Sequence, residues 1–292
     1  MEPILSVIIT THNIVEKDKV DDFNLLITLL SKQTYPEIEI IVIDKASTDE
    51  TNVLLKDYKN KGYINFFSEP DMNKFDGFNK GVMRAHGKYV AFLSCDDFWH
   101  DITAVRDIMT FMESNNADFV YSPAYCCYPT GYVYLFPPVI HAAFQVMPCA
   151  RQGMIFKKSV IEQLNYFDTK FAYFADFDLI IRMLMKRFKG FCYDTNFTTY
   201  KLCESIEKNP EKCTQECKQI FYKNYRGLTA LNNDILDKMV KTSEFPQELL
   251  QKLAVLYPPE ERQQFLNDCE EVHKNRVEAV EEAATLSEQQ QT

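Results

Sequence analysis

In the first two-thirds of this chain, short unbroken apolar runs alternate with stretches whose apolar residues recur every three or four positions. Ile4-Leu5-Ser6-Val7-Ile8-Ile9-Thr10 reads as a strand buried on both faces, closed by the polar turn Thr11-His12-Asn13. Val20, Phe23, Leu26, Ile27 and Leu30 share one face of a helix predicted over 20–30. A second strand over 38–43 ends at Asp44. Ser47-Thr48-Asp49-Glu50 then has capping-box spacing, which predicts a helix start near Thr48. A short strand over 64–67, a helix over 78–86 and a strand over 89–94 follow. A helix over 102–114 and a strand at Phe119-Val120-Tyr121 continue the pattern.

Strands and helices that alternate in this way predict an α/β fold with right-handed crossovers and a mostly parallel sheet flanked by helices. The polar residues sit at strand ends: Thr11 and Asn13, Asp44, then Asp96. In an open α/β sheet, ligands collect at the carboxyl ends of the strands.

Beyond residue 121 the texture changes. Residues 125–138 are rich in aromatics with a turn signal at Pro129-Thr130-Gly131, which predicts a hairpin or a long ordered loop. Residues 152–156 read as another strand. Ala175-Asp176-Phe177-Asp178 opens a helix with Leu179, Ile180, Met183 and Leu184 inward. The α/β domain is expected to close near Cys203, dividing the chain into a domain over 1–205 and a helical extension over 206–292. Residues 246–256 and 259–286 are its clearest helices. Phe265, Cys269, Val272 and Val280 form a narrow apolar stripe. It fits a helix packed on the rest of the chain, with a dimer contact or an interfacial membrane contact as alternatives. The polar tail over 287–292 is expected to fray.

Composition narrows the class. The chain has 292 residues, 46% hydrophobic and 25% charged, enough to bury a real core. Its formal net charge of -10 argues against a nucleic-acid partner, whose affinity comes from Lys and Arg on phosphate. It argues equally against a polybasic membrane binder. No apolar run approaches a spanning length, and the opening Met1-Glu2-Pro3 lacks a basic flank, so a cytoplasmic protein is expected. Nine cysteines, odd in number and irregularly spaced, are expected to be reduced thiols. Cys213 and Cys217 stand four apart on a predicted helix, but no second pair completes a zinc site.

The candidate chemistry lies in carboxylates. Leu93-Ser94-Cys95-Asp96-Asp97 runs an apolar strand into two adjacent acids, which suits a hard divalent cation and its phosphate. Taken singly, each acid has a plainer use. Asp44 can end a strand, Asp96 and Asp97 can cap a helix, and Asp176 can cap its own helix while Asp178 pairs with Arg182.

Together the segments resemble glycosyltransferase family 2, inverting nucleotide-sugar enzymes of the GT-A fold. The resemblance spans roughly residues 4–205, in order. Leu5 to Asn13 is similar to the family's opening strand and turn, and Ile41 to Asp49 to its second strand and Asp-x-x-Ser-x-Asp turn. Glu69-Pro70-Asp71 with Asp76-Gly77-Phe78-Asn79-Lys80-Gly81 resembles its third element. Ser94-Cys95-Asp96-Asp97 takes the Asp-x-Asp position. Gln152-Gly153, Phe167-Asp168 and Ala175-Asp176-Phe177-Asp178-Leu179 resemble the segment holding the base.

The resemblance implies a nucleotide-sugar donor, UDP-linked by expectation, with Mn²⁺ or Mg²⁺ as cofactor. It implies a glycan or lipid-linked saccharide acceptor, as in surface polysaccharide assembly, with peripheral association at the inner face of the membrane. By the same resemblance, Asp44 would accept from the nucleobase, with Thr11 and Asn13 lining the nucleotide pocket. Asp76 and Asn79 would lie near ribose and diphosphate. Asp96 would hold the cation and Asp176 would be the general base. Asp97 would assist the metal or hold the donor sugar. Gln152 belongs to the same binding set, and Arg151 is a candidate for diphosphate or acceptor, or else a surface salt bridge.

This sequence departs from the family pattern in places. Ser94 replaces the first acid of Asp-x-Asp, leaving Asp96 as the one secure protein ligand. His12 stands where an aromatic is common and Arg151 where His is common. The only histidine after Asp178 is His273, so a third ligand is not assigned. Two other readings compete: a nucleotidyltransferase, which should show a Gly-rich basic loop after strand one, and a non-catalytic nucleotide-sugar binder. Trp99 is the only tryptophan, which speaks against a processive synthase with its Gln-x-x-Arg-Trp motif.

Overall fold

The structure is a computed structural model that describes residues 4–128, 130–201 and 208–289. The opening Met1-Glu2-Pro3, Pro129 of the predicted turn, the closing point near Cys203 and the last tail residues fall outside the described residues. The chain divides into two compact units.

The first unit comprises Met1–Pro138, Cys149–Leu179 and Phe188–Cys203. Its main sheet has seven strands: β1 (Leu5–Thr11), β2 (Ile38–Asp44), β3 (Asn65–Ser68), β4 (Tyr89–Ser94), β6 (Phe119–Tyr121), β9 (Ile155–Lys157) and β10 (Gly190–Cys192). Their order is β10-β6-β9-β4-β1-β2-β3. β1 lies parallel between β2 and β4, and β3 continues the parallel set. β9 runs antiparallel to both β4 and β6, the one reversal in an otherwise parallel sheet. The continuous apolar runs are explained by burial on both faces: Leu5, Val7, Ile8, Ile9, Val42 and Ile43 have no exposed surface.

Helices α1 (Val20–Ser31), α2 (Thr51–Asn60), α3 (Lys74–Arg84) and α4 (Ala104–Asn115) connect the strands. α3 comes close to the sheet at Gly81, where an added Cβ would lie 2.2 Å from Ile8 Cγ2. It starts earlier than its apolar pattern predicts, because Asn73 caps it by accepting from the Phe75 and Asp76 amides. α2 starts later than predicted, at Thr51, whose amide donates to Asp49 Oδ1 at 3.0 Å, while the N-cap residue Glu50 makes no side-chain cap. In place of a capping box, the Ser47 hydroxyl donates to Asp44 and accepts from the Asn13 amide.

A second, four-stranded sheet has the order β5-β11-β7-β8, with β5 (Phe98–Trp99), β7 (Ala124–Cys127), β8 (Val133–Phe136) and β11 (Thr198–Lys201). The aromatic segment after residue 121 is therefore a hairpin, β7 antiparallel to β8. Of the strand predicted over 152–156, the first part is a 3-10 turn, Arg151–Gly153, and only Ile155 and Phe156 lie in β9. α5 (Lys158–Gln163) and the start of α6 (Ala175–Met185) complete this unit.

The second unit comprises Val139–Pro148, Ile180–Arg187 and Glu204–Thr292. Its described helices include Pro210–Tyr225, Asn233–Thr242, Gln247–Ala254 and Arg262–Gln289. Proline at the first helical position and the Asn232 side chain on the Ile235 amide begin two of them. Aromatic rings fill its interior: Phe221 against Phe245, and Phe265 against Phe144 and Tyr257. In the long helix Phe265 and Cys269 are buried, while Val272 and Val280 are half-buried. Cys213, buried, and Cys217, half-buried, are reduced cysteines. The His273 Nδ1 lies 2.8 Å from the Thr242 carbonyl. Among the described residues, no helix is long and apolar enough to cross a membrane.

Candidate active site

Strand register brings the polar ends together. Thr11 pairs with Asp44 across β1 and β2, Asp44 with Ser68 across β2 and β3, and Thr10 with Ser94 across β1 and β4. One row of side chains at the carboxyl end of the sheet follows from alignment alone.

Asp44 is the hub of that row and is fully buried. Its Oδ1 accepts from the Thr11 hydroxyl at 3.1 Å and the Ser47 hydroxyl at 2.5 Å. Its Oδ2 accepts from the Ser47 amide and the Ser68 hydroxyl, both at 2.8 Å. A carboxylate offers about four lone-pair sites, and here four donors fill them. Ala46, held in the left-handed region at φ 46°, turns the chain so that the Ser47 amide reaches back to Asp44. Asn13, also left-handed at φ 49°, donates its amide to Ser47 Oγ at 2.8 Å and takes the Thr48 amide on Oδ1 at 3.0 Å. Thr11, Asn13, Asp44 and Ser47 thus form one hydrogen-bonded cluster.

Asp76 and Asn79 lie on α3. Asp76 Oδ2 accepts from the Met72 amide at 3.1 Å and pairs with Lys80 at 3.2 Å. The Asn79 side-chain amide is taken up by the backbone of Phe167: Nδ2 donates to its carbonyl at 2.9 Å and Oδ1 accepts from its amide at 3.0 Å. Asn79 therefore fastens the segment around residue 167 to α3. Nearby, the buried Asp71 carboxylate lies 3.1 Å from Lys45; burial pushes its carboxyl above the ordinary range, and Lys45 acts in the opposite sense.

The two acids after β4 differ sharply. Asp97 is turned inward, with 1% of its surface exposed. Its Oδ2 accepts from the Ser94 amide at 2.6 Å and its Oδ1 from Gln152 Nε2 at 3.2 Å. Trp99 Nε1 donates to the Gln152 carbonyl at 2.9 Å and so fixes Gln152. Arg151, predicted as a ligand contact or a surface pair, is 5% exposed. Its Nη2 lies 3.8 Å from Asp97, its Nη1 donates to Asp176 Oδ2 at 3.1 Å, and its guanidinium stands 5.0 Å over the Phe78 ring. Its Nε is buried and has no hydrogen-bond partner among the described residues. Burial pushes the Asp97 carboxyl up, and Arg151 pulls it back. Asp176, in the first turn of α6, also takes the Phe177 amide on Oδ1 at 3.0 Å. Asp97, Arg151, Gln152 and Asp176 are therefore one network, buried except at Asp176, whose side chain is 13% exposed.

Asp96 points the other way. Its side chain is 15% exposed, and Oδ2 pairs with Lys19 Nζ at 2.6 Å. A divalent cation fits here only in a limited sense. Among the described residues no three His, Cys, Asp or Glu side chains gather to hold a metal. Asp97 is already committed, so Asp96 is the one carboxylate of the pair on offer. One hard oxygen ligand suits Mg²⁺ or Mn²⁺ when phosphate oxygens complete the shell, and suits no stand-alone metal site.

Sequence reasoning missed Ser47, Ser68 and Lys19. Ser47 had a signal, since an Asp three residues before a Ser is turn chemistry. Ser68 and Lys19 had none; register places the first and a loop the second.

The comparisons bear on the family and the fold. The profile of Glycosyl transferase family 2 matches residues 6–172, more than half of the chain. The chain belongs to this family. It is 33% identical over 122 residues to the Escherichia coli UDP-Glc:alpha-D-GlcNAc-diphosphoundecaprenol beta-1,3-glucosyltransferase WfaP, covering 42% of this chain and 46% of that protein. An uncharacterized Rickettsia bellii glycosyltransferase is 35% identical over 91 residues, 31% of this chain but 13% of its relative. The chain thus spans less than half the length of these curated relatives. Among solved structures, S. aureus TarS 1-349 in complex with UDP superposes with a TM-score of 0.60 at 15% identity, over 97% of this chain and 92% of that one. The mannosyltransferase PcManGT from Pyrobaculum calidifontis, in complex with GDP-Man and Mn2+, gives 0.59 at 14% identity, over 98% and 81%. The fold is GT-A.

Proposed function

We propose that the protein is an inverting glycosyltransferase that moves a sugar from a nucleoside-diphosphate sugar, UDP-linked, onto a hydroxyl of a glycan or lipid-linked saccharide. The observation that carries this reading is the chain Asp97–Arg151–Asp176. It ties a carboxylate on α6 to the end of β4, where Asp96 stands. Asp176 would take the proton of the attacking hydroxyl, its carboxylate oriented by Arg151 and the Phe177 amide. Attack from the face opposite the leaving diphosphate needs no covalent enzyme intermediate, and the chain is assigned none. A divalent cation held by Asp96 would neutralise charge on that diphosphate.

The cluster of Thr11, Asn13, Asp44 and Ser47 would frame the nucleoside. A base that hydrogen-bonds to Asp44 would have to replace one of its four donors, and the Thr11 and Ser68 hydroxyls are the ones free to rotate away. Asp76, paired with Lys80, and Asn79 would lie near ribose and diphosphate. Residues 1–205 would carry the chemistry. The acceptor is read from WfaP, whose name specifies a diphosphoundecaprenol-linked sugar. Such an acceptor would bring the enzyme to the inner membrane face, in surface polysaccharide assembly.

A donor panel tests this. UDP-, GDP- and dTDP-sugars are titrated against the protein with and without Mn²⁺. Binding of a UDP-sugar that strengthens with Mn²⁺ is expected; failure of every nucleotide sugar to bind under either condition would sink the reading.

A further inference from the structure

The loop from Asn13 to Lys19 is built to return one lysine to the end of β4. Asn13 and Asp18 both sit in the left-handed region, at φ 49° and 54°. The Lys19 amide donates to the Ile14 carbonyl at 2.8 Å, and its own carbonyl accepts from the Phe23 amide at 3.0 Å. Lys19 is thereby locked at the start of α1, and its side chain reaches 77 positions along the chain to Asp96 at 2.6 Å. Asp97 is buried on Ser94, Gln152 and Arg151, and position 94 is a serine.

We propose that Lys19 is a tethered counter-ion for Asp96 that makes divalent-cation binding conditional on a nucleoside diphosphate. The inference rests on the metal-assisted reading above and adds a residue and an order of events to it. With the ammonium in place, the Lys19–Asp96 pair carries no net charge, so a free cation meets no attractive field there. Its only protein ligand of the pair is also already engaged. A nucleoside diphosphate changes both conditions. Its negative charge draws the ammonium off Asp96, and its oxygens supply the ligands that the protein lacks. The cation then binds tightly only with the diphosphate or after it. A lysine that merely helps the chain fold would not impose that order.

The test is Mn²⁺ binding followed by electron paramagnetic resonance, on the full chain, with and without UDP. Wild type is expected to bind Mn²⁺ weakly alone and tightly with UDP. Lys19→Ala should bind Mn²⁺ without UDP about 5-fold more tightly than wild type, the equivalent of a half-exposed ion pair of about 1 kcal/mol. Lys19→Arg should restore the wild-type order. Circular dichroism confirms that each variant is folded. If Lys19→Ala leaves nucleotide-free Mn²⁺ affinity unchanged while wild type still binds Mn²⁺ with UDP, the counter-ion role is wrong and the metal reading stands. If wild type binds no Mn²⁺ even with UDP, the metal reading itself fails and takes the inference with it.

Discussion

Asp97 and Asp176 share one guanidinium, and the consequences differ for fold and for chemistry. Arg151 is enclosed, so removing its charge strands Asp97 at 1% exposure with only neutral donors. Arg151→Met keeps the bulk over Phe78 and removes the charge; unfolding in urea should show a loss of about 3–5 kcal/mol. A loss under about 1 kcal/mol would mean that the network is not holding the site. The sequence made Arg151 a site candidate by its place before Gln152, but burial and partners are not readable from one position. Asp44 teaches the same lesson. Its spacing to Ser47 is visible in the chain, yet the four donors come from β1, β3 and the turn after β2, and register brings the two strand donors together.

At the scale of elements, close approach decides more than propensity. Gly81 lets α3 lie against β1, and a methyl there would come within 2.2 Å of Ile8. Gly81→Ala should lower stability by about 1–3 kcal/mol, read from the thermal midpoint. At the other end of the sheet, Glu39 on β2 staples β1 to the turn before β4. It accepts from Ser6, from the His86 amide at 2.6 Å and from the Gly87 amide at 3.1 Å. Burial alone would raise its carboxyl, but these bonds outweigh it and hold it below the ordinary value of 4.5. A lowered carboxyl contributes stability above about pH 4.5 that disappears as pH falls through the folded value. Glu39→Gln should therefore flatten the acid limb of a stability–pH curve below about pH 5, and an unaltered limb would contradict the assignment.

Strands were easier to read than helix starts for a physical reason. Burial on both faces writes an unbroken apolar run into β1, β2 and β4. The starts of α2 and α3 depend on caps: Ser47 was claimed by Asp44, and Asn73 began α3 four residues ahead of the predicted start at Phe78. The reversal of β9 left no mark in its composition, because antiparallel and parallel buried strands use the same residues.

Across the whole molecule, two compact units carry their own cores. In the first, parallel register alone sets Thr11, Asp44, Ser68 and Ser94 at one end of the sheet, and loops bring Lys19 and Arg151 to it. The α/β class and the place of Asp96 at a strand end were legible because alternating elements and strand-end acids are local features, whereas Asp176, at a helix start, was singled out only by the family resemblance. The inward turn of Asp97 and the Lys19 contact were not, because they join residues up to 77 positions apart. Asp176 as base is the central claim, and the most direct measurement compares Asp176→Asn with wild type, using the UDP-sugar identified by the donor panel. Transfer or slow donor hydrolysis is followed beside donor affinity. The account predicts that kcat falls by about 10²–10⁴-fold while donor affinity stays within a few-fold of wild type. Transfer that survives at the wild-type rate would contradict it.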